Sequence, residues 1–167
     1  MLTTTVTRIA TALLLAAVST ATHAQTIQRI EIIEYGIYSA EKIGSTNAPG
    51  TAAGTVSRLR NLSLVTATRT IQAQVGVTFG YRYRVVGPQN DVAVKLNGVN
   101  LIPQPGIRNP KTGNTMLREE APISVRTGRI AHDGYTFNEL WEIVRGTWTF
   151  ELWDGDQKLS TQTFNVQ

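Results

Sequence analysis

The sequence predicts an all-β domain: an antiparallel two-sheet sandwich, with a small β-barrel as the runner-up. Three observations carry this prediction. Alternation of apolar and polar residues with a period of two dominates the chain, and no long stretch shows helical periodicity. Clusters of Gly, Pro, Asn and Asp recur between the apolar runs, as turns between strands require. Two segments, 77–86 and 148–166, alternate cleanly enough to assign their inward faces. Cysteine is absent from the 167 residues, so cohesion has to come from packing rather than from disulfides or thiolate–metal bonds.

The N-terminus precedes this pattern and differs from it. Arg8 is followed by the apolar run Ile9–Val18, and small residues stand at Thr22 and Ala24. A basic start, a short apolar stretch and a small-x-small site make a secretory signal peptide, with cleavage expected between Ala24 and Gln25. The run is broken by Thr11 and ends at Ser19-Thr20, short of the ~20 apolar residues that a membrane span needs. Residues 1–24 are therefore read as a leader and 25–167 as a single domain of about 140 residues. A periplasmic or secreted location follows, with no transmembrane anchor in the mature chain. Without Arg8 the domain carries 15 Lys and Arg against 12 Asp and Glu, a small excess that solubility alone explains.

Along the mature chain, residues 27–38 are rich in β-branched and aromatic side chains and read as a strand interrupted at Gly36. Residues 44–55, GSTNAPGTAAGT, read as a long exposed loop. A strand resumes over 61–74. In residues 76–86, Val77, Phe79, Tyr81, Tyr83 and Val85 share one face, and Thr78, Arg82 and Arg84 share the other. After a turn at 87–91, Val92, Val94 and Leu96 face inward on a short strand ending at Asn97-Gly98. Residues 102–114 contain three prolines and two glycines and are expected to form a loop. Strand character returns over 121–131, with Ile123 and Val125 inward. His132-Asp133-Gly134 reads as the next turn, and 135–144 is either a broken strand or a helical turn. Residues 146–166 read as a hairpin. Trp148, Phe150 and Leu152 face the core, Asp154-Gly155 forms the turn, and a bulge between Leu159 and Phe164 brings Phe164 and Val166 back to the buried face.

Several of these motifs occur together in one bacterial family. Tyr35-Gly-Ile-Tyr38, Phe79-Gly-Tyr81, Pro105-Gly106…Pro110-x-Thr-Gly113, Trp141-Glu142, Gly146-x-Trp148-x-Phe150 and Phe164-x-Val166 resemble the DUF3859 domain, whose function is unknown. The resemblance spans most of the mature chain. It implies an immunoglobulin-like, extracytoplasmic β domain, and it brings no catalytic residues.

The residues themselves show no catalytic set. After cleavage His132 is the only histidine, and no Gly-x-Ser-x-Gly elbow accompanies it. Asp154-Gly155-Asp156 supplies two carboxylates where calcium wants six to eight oxygens, so the hairpin turn explains it. No metal and no cofactor is expected. Arg82 and Arg84 lie opposite Tyr81 and Tyr83 rather than stacked among them, which argues against a nucleic-acid face. They suit an acidic ligand instead, together with Arg58, Arg60 and Arg69 if those strands are neighbours. Trp153 opposes the parity of Trp148 and Leu152 and is placed on the outer face, where an aromatic ring can anchor a partner. Arg108 and Lys111 in the proline loop, and Trp141 with Glu142, complete the candidate binding residues.

These readings favour a non-enzymatic exported module of the bacterial cell envelope that binds a protein or an acidic polymer. The alternatives are a hydrolase of envelope carbohydrate using Glu139 and Glu142, which requires two carboxylates across a cleft, and a structural subunit that associates with itself through an apolar patch.

Overall fold

The computed structural model describes residues 27–167, so the expected leader and its cleavage site lie outside the described residues. Eleven strands follow in order: β1 (Arg29–Asn47), β2 (Thr55–Thr66), β3 (Thr70–Ile71), β4 (Thr78–Val86), β5 (Ala93–Leu101), β6 (Ile107–Arg108), β7 (Thr115–Met116), β8 (Arg118–Arg126), β9 (Ile130–Thr136), β10 (Gly146–Asp154) and β11 (Gln157–Val166). They form one sheet in the order β2-β1-β4-β9, a second in the order β3-β11-β10-β5-β8, and a two-residue ladder between β6 and β7. Neither large sheet closes on itself, so the architecture is a sandwich and not a barrel. All pairings are antiparallel except the short parallel contact of β3 with β11.

The inward faces match the alternation of the sequence. Phe79, Tyr81, Tyr83 and Val85 of β4 are buried against Trp148, Phe150, Leu152, Phe164 and Val166 of the β10–β11 hairpin. Phe79 sits at the centre, with the rings of Tyr135, Phe137, Trp148, Phe150 and Phe164 at centroid distances of 5.3–6.5 Å. The bulge in the hairpin falls at Leu159, because Leu152 pairs with Ser160 whereas Trp153 pairs with Lys158.

Five elements depart from the sequence expectation, each for a tertiary reason. The run 61–74 is not one strand but the end of β2 and then β3, which belong to different sheets. Residues 44–47 are not loop, since β1 runs on to Asn47 and pairs with β2. Strand β5 does not end at Asn97-Gly98 but continues to Leu101. Gly98 packs there under the Ile123 side chain, whose tip lies 2.6 Å from where a Cβ would stand. The run 121–131 is two strands, β8 and β9, which belong to different sheets and are separated by the turn at Thr127-Gly128. His132-Asp133-Gly134 is no turn at all: it lies within β9, opposite Arg82, Tyr81 and Gly80 of β4.

That last difference has a cause in packing. Gly36, Gly80 and Gly134 form one row across β1, β4 and β9. A Cβ on Gly80 would stand 2.2 Å from the Asp133 carbonyl oxygen, and one on Gly134 the same distance from that of Phe79. Tyr38 and His132 flank the row on the same face, and their rings meet edge to face at 5.1 Å. An aromatic ring laid over a cross-strand glycine covers backbone that would otherwise be bare. Gly134 thus serves the sheet, although Asp-Gly reads locally as a turn.

Candidate functional site

Strand β1 has two halves with different partners. Arg29–Tyr38 pairs with β4, and from Ile37 onward the strand pairs with β2. Three register shifts occur in the second half, between Ile37 and Tyr38, Ser39 and Glu41, and Lys42 and Gly44. Bulges bend a strand and raise its twist, so the β1–β2 ribbon leaves the sheet as an arm. Few apolar side chains hold it, and Ile43, Val56 and Val65 are exposed. Polar tethers fix it instead. Lys42 Nζ donates to Asn138 Oδ1 at 2.8 Å. At the tip, Ala52 N donates to Glu119 Oε1 at 2.8 Å, Asn109 Nδ2 to Ala52 O at 2.7 Å, and Glu120 N to Gly50 O at 2.9 Å. The tip is therefore docked on β8, with Ala48, Thr51 and Ala52 buried.

Beneath this arm lies a cleft of about 930 Å³, toward the upper end of the range for small-molecule sites. Its walls are the arm, residues 119–124 of β8, residues 132–136 of β9, and the segment 138–142 that follows β9. β8 and β9 are edge strands of opposite sheets, so the cleft sits where the sandwich is open along one side.

Acidic side chains dominate it. Glu119, Glu120, Asp133, Glu139 and Glu142 line the cleft, against the cations Lys42 and Arg58. Glu142 belongs to a single 3-10 turn, Leu140–Glu142, and its Oε2 accepts from Asn138 N at 2.5 Å and Glu139 N at 3.1 Å. That contact caps the turn. Burial raises the Glu142 carboxyl above the ordinary carboxylate range, although these hydrogen bonds oppose the rise. Glu119, 2% exposed, is raised by burial and further by the charge of Glu142, against the hydrogen bonds from Ala52 and Asn100. The hydroxyl of Tyr135 is raised by burial and by both glutamates. Burial pushes Asp133 up to about 6 and His132 down to about 4, with Arg82 adding to the latter. His132 Nε2 is enclosed and has no hydrogen-bond partner.

Of the candidate residues read from the sequence, the cleft gathers Arg58, Trp141 and Glu142, with Glu139 and His132 beside them. The others lie elsewhere. Arg82 and Arg84 project from the outer face of their sheet and pair with Glu34 at 3.2 Å and Glu31 at 3.3 Å. Arg60 pairs with Glu41, and the guanidinium of Arg69 lies 4.1 Å from the Tyr35 ring centroid, so neither extends that patch. Trp153 lies half-buried on the outer face of the second sheet, where Nε1 donates to Glu151 Oε2 at 2.9 Å and Lys158 Nζ is 5.6 Å from the ring centroid. Arg108 and Lys111 are exposed in the proline loop. That loop is organised by Asn109, which receives the Lys111 N–H and reaches the arm tip. Sequence reasoning gave Glu119 no role of its own, and it did not find the arm or the β9 edge. Neither carries a local signal, because four separate chain segments build the cleft.

Among the described residues, no group of three or more His, Cys, Asp or Glu side chains is arranged to hold a metal ion, and no helix is long and apolar enough to cross a membrane. No curated protein matches the chain. Among solved structures, it is similar to a crystal structure of an immunoglobulin-like protein from Pseudomonas aeruginosa. The two are 23% identical with a TM-score of 0.60, and the match covers 84% of this chain and 98% of that one. At that identity the likeness establishes the fold, an immunoglobulin-like sandwich. The family model described as a domain of unknown function, DUF3859, matches residues 26–166. The chain belongs to the DUF3859 family.

Proposed function

We propose that this protein is a non-enzymatic binding module exported to the bacterial cell envelope, and that its ligand sits in the cleft under the β1–β2 arm. The observation that carries this reading is the cleft itself: about 930 Å³ of space at the open side of the sandwich, covered by an arm held through polar tethers. The arginine pair supports it less well, since Glu31 and Glu34 already neutralise Arg82 and Arg84. Trp153 is likewise engaged by its own neighbours. The leader read over residues 1–24 supplies the export step. A photo-crosslinking benzophenone residue placed at Ser124, in the cleft, and separately at Thr161, on the outer face of β11, tests the reading in a bacterium that exports the protein. Discrete adducts are expected from position 124 alone. Adducts from position 161 alone, or from neither, overturn it.

One observation favours a second reading, a carbohydrate hydrolase. Glu119, Glu139 and Glu142 share a single cleft, and the Glu142 charge raises Glu119, as an acid–base pair requires. Against it, Glu142 and Glu119 are both occupied in holding backbone N–H groups. Release of reducing ends from envelope polysaccharide by the wild type, abolished in Glu142→Gln with the fold intact, would establish this reading in place of the first.

A further inference from the structure

The edge of β9 that lines the cleft is unpaired. β9 is hydrogen-bonded to β4 on one side, and among the described residues no strand lies on the other. The direction of its backbone groups follows from the ladder. Phe137 N donates to Val77 O at 3.1 Å while Thr136 stands opposite Thr78. In an antiparallel pair this makes Thr136 a non-hydrogen-bonded position, whose N–H and C=O point away from β4. Alternation puts Gly134 and His132 in the same class. Two of their six groups are used locally, since Asn138 Nδ2 donates to Thr136 O at 3.0 Å and the Gly134 N–H reaches the Asp133 carboxylate. The N–H groups of His132 and Thr136 and the carbonyls of His132 and Gly134 remain directed at the cleft.

Unpaired edges invite strand addition, and proteins commonly blunt them. The other long edges here are blunted. On β8, Glu120 N is taken by the arm tip, and Pro122, two residues on, has no N–H to offer. The free side of β2 is broken at Asn61, where φ is 54°. On β9 the local bonds at Gly134 N–H and Thr136 O leave four of the six outward groups open, and Gly134, central on its edge, carries no side chain. The arm stands over this edge without pairing to it.

We propose that the ligand is an extended polypeptide segment that adds to the free edge of β9 beneath the arm, a refinement that rests on the cleft reading above. Main-chain hydrogen bonds to His132, Gly134 and Thr136 supply the register, as in other strand-addition complexes.

The test uses a peptide library panned on the purified protein, with envelope oligosaccharide fragments as the parallel probe. Four proteins are compared: the wild type, Ser124→Trp to fill the cleft, Thr136→Pro to remove one outward N–H without breaking the β4 ladder, and Thr136→Val to control for loss of the hydroxyl. Extended peptides are expected to bind. Amide exchange at His132 and Thr136 should slow by about tenfold or more on binding. Ser124→Trp should abolish binding, Thr136→Pro should weaken it by about tenfold, and Thr136→Val should leave it unchanged. Peptides that bind in the cleft with equal affinity to the Thr136→Pro and Thr136→Val proteins, and without protection of those amides, overturn strand addition but leave the cleft reading standing. Oligosaccharides that bind where peptides do not, and that lose binding in Ser124→Trp, have the same consequence. Binding of neither probe overturns both readings.

Discussion

His132 and Asp133 are neighbours in β9 but face opposite sides of the sheet, and burial moves their proton affinities in opposite directions. Asp133 faces the interior, where Tyr81 Oη donates to it at 3.0 Å, and its folded value of about 6 lies above the ordinary 3.8. Its contribution to stability is present in full below pH 4 and is lost as pH rises through 6. His132 lies on the outer face among Tyr38, Arg82 and the buried edge of the cleft, and its folded value of about 4 lies below 6.5. Its contribution is present above pH 6.5 and is lost as pH falls through 4. The two slopes oppose each other across one window. We expect Asp133→Asn to make stability rise from pH 4 to 6.5 relative to wild type, and His132→Gln to make it fall, each by on the order of 2 kcal/mol. Urea denaturation at pH 4, 5 and 6.5 measures this. Glu119 and Glu142 titrate in the same sense as Asp133 in all three proteins, so they cancel in the comparison. Identical pH profiles for the three would show that burial at this edge does not govern the protons.

At the scale of elements, the arm and the body are held by different forces. The body is an aromatic core, whereas the arm is a two-stranded ribbon, which is marginal in isolation. Its attachment is concentrated at the tip, where Gly50 passes so close to β8 that a Cβ would stand 2.2 Å from the Glu120 carbonyl oxygen. Gly50→Val must lift the tip and break the Glu120–Gly50 hydrogen bond. Limited proteolysis is expected to cut between residues 39 and 66 at a rate raised by about tenfold, since local opening sets that rate. The thermal midpoint of the body should change by only a few degrees. A cooperative loss of the whole fold would instead make the arm part of the same unit as the core. The proline loop belongs to this element too. The three prolines between 102 and 114 preclude long pairing, and the loop is nevertheless fixed, with Ile107 fully buried and Asn109 bonded to the arm.

At the scale of the molecule, stability converges on Phe79. Five aromatic rings surround it, drawn from both sheets. Phe79→Ala leaves a cavity between the sheets and should cost about 3–5 kcal/mol. That is a large part of the 5–15 kcal/mol typical of a domain. Chemical denaturation of the wild type and the variant measures it, and a loss below about 1 kcal/mol would mean that the sheets close over the gap. Phe79 was legible in the sequence as the middle of the Val77–Val85 alternation. So were the β10–β11 hairpin, its bulge near Leu159 and the outward direction of Trp153, because each depends on parity within one or two strands.

The sequence by itself determined that this chain is all-β, which faces of β4 and of β10–β11 are buried, and that its motifs match one family. Periodicity suffices for these, since side-chain direction in a strand follows from counting residues. Only the tertiary structure decided that His132-Asp133-Gly134 is a strand, that residues 44–47 continue β1, and that Trp141 and Glu142 share a cleft from which Arg82, Arg84, Arg108, Lys111 and Trp153 are absent. The physical reason is the same in each case. A glycine kept for the close approach of a neighbouring strand looks, along the chain, like a glycine kept for a turn. A cleft walled by the arm, β8, β9 and the turn at Leu140–Glu142 exists only where those four segments meet.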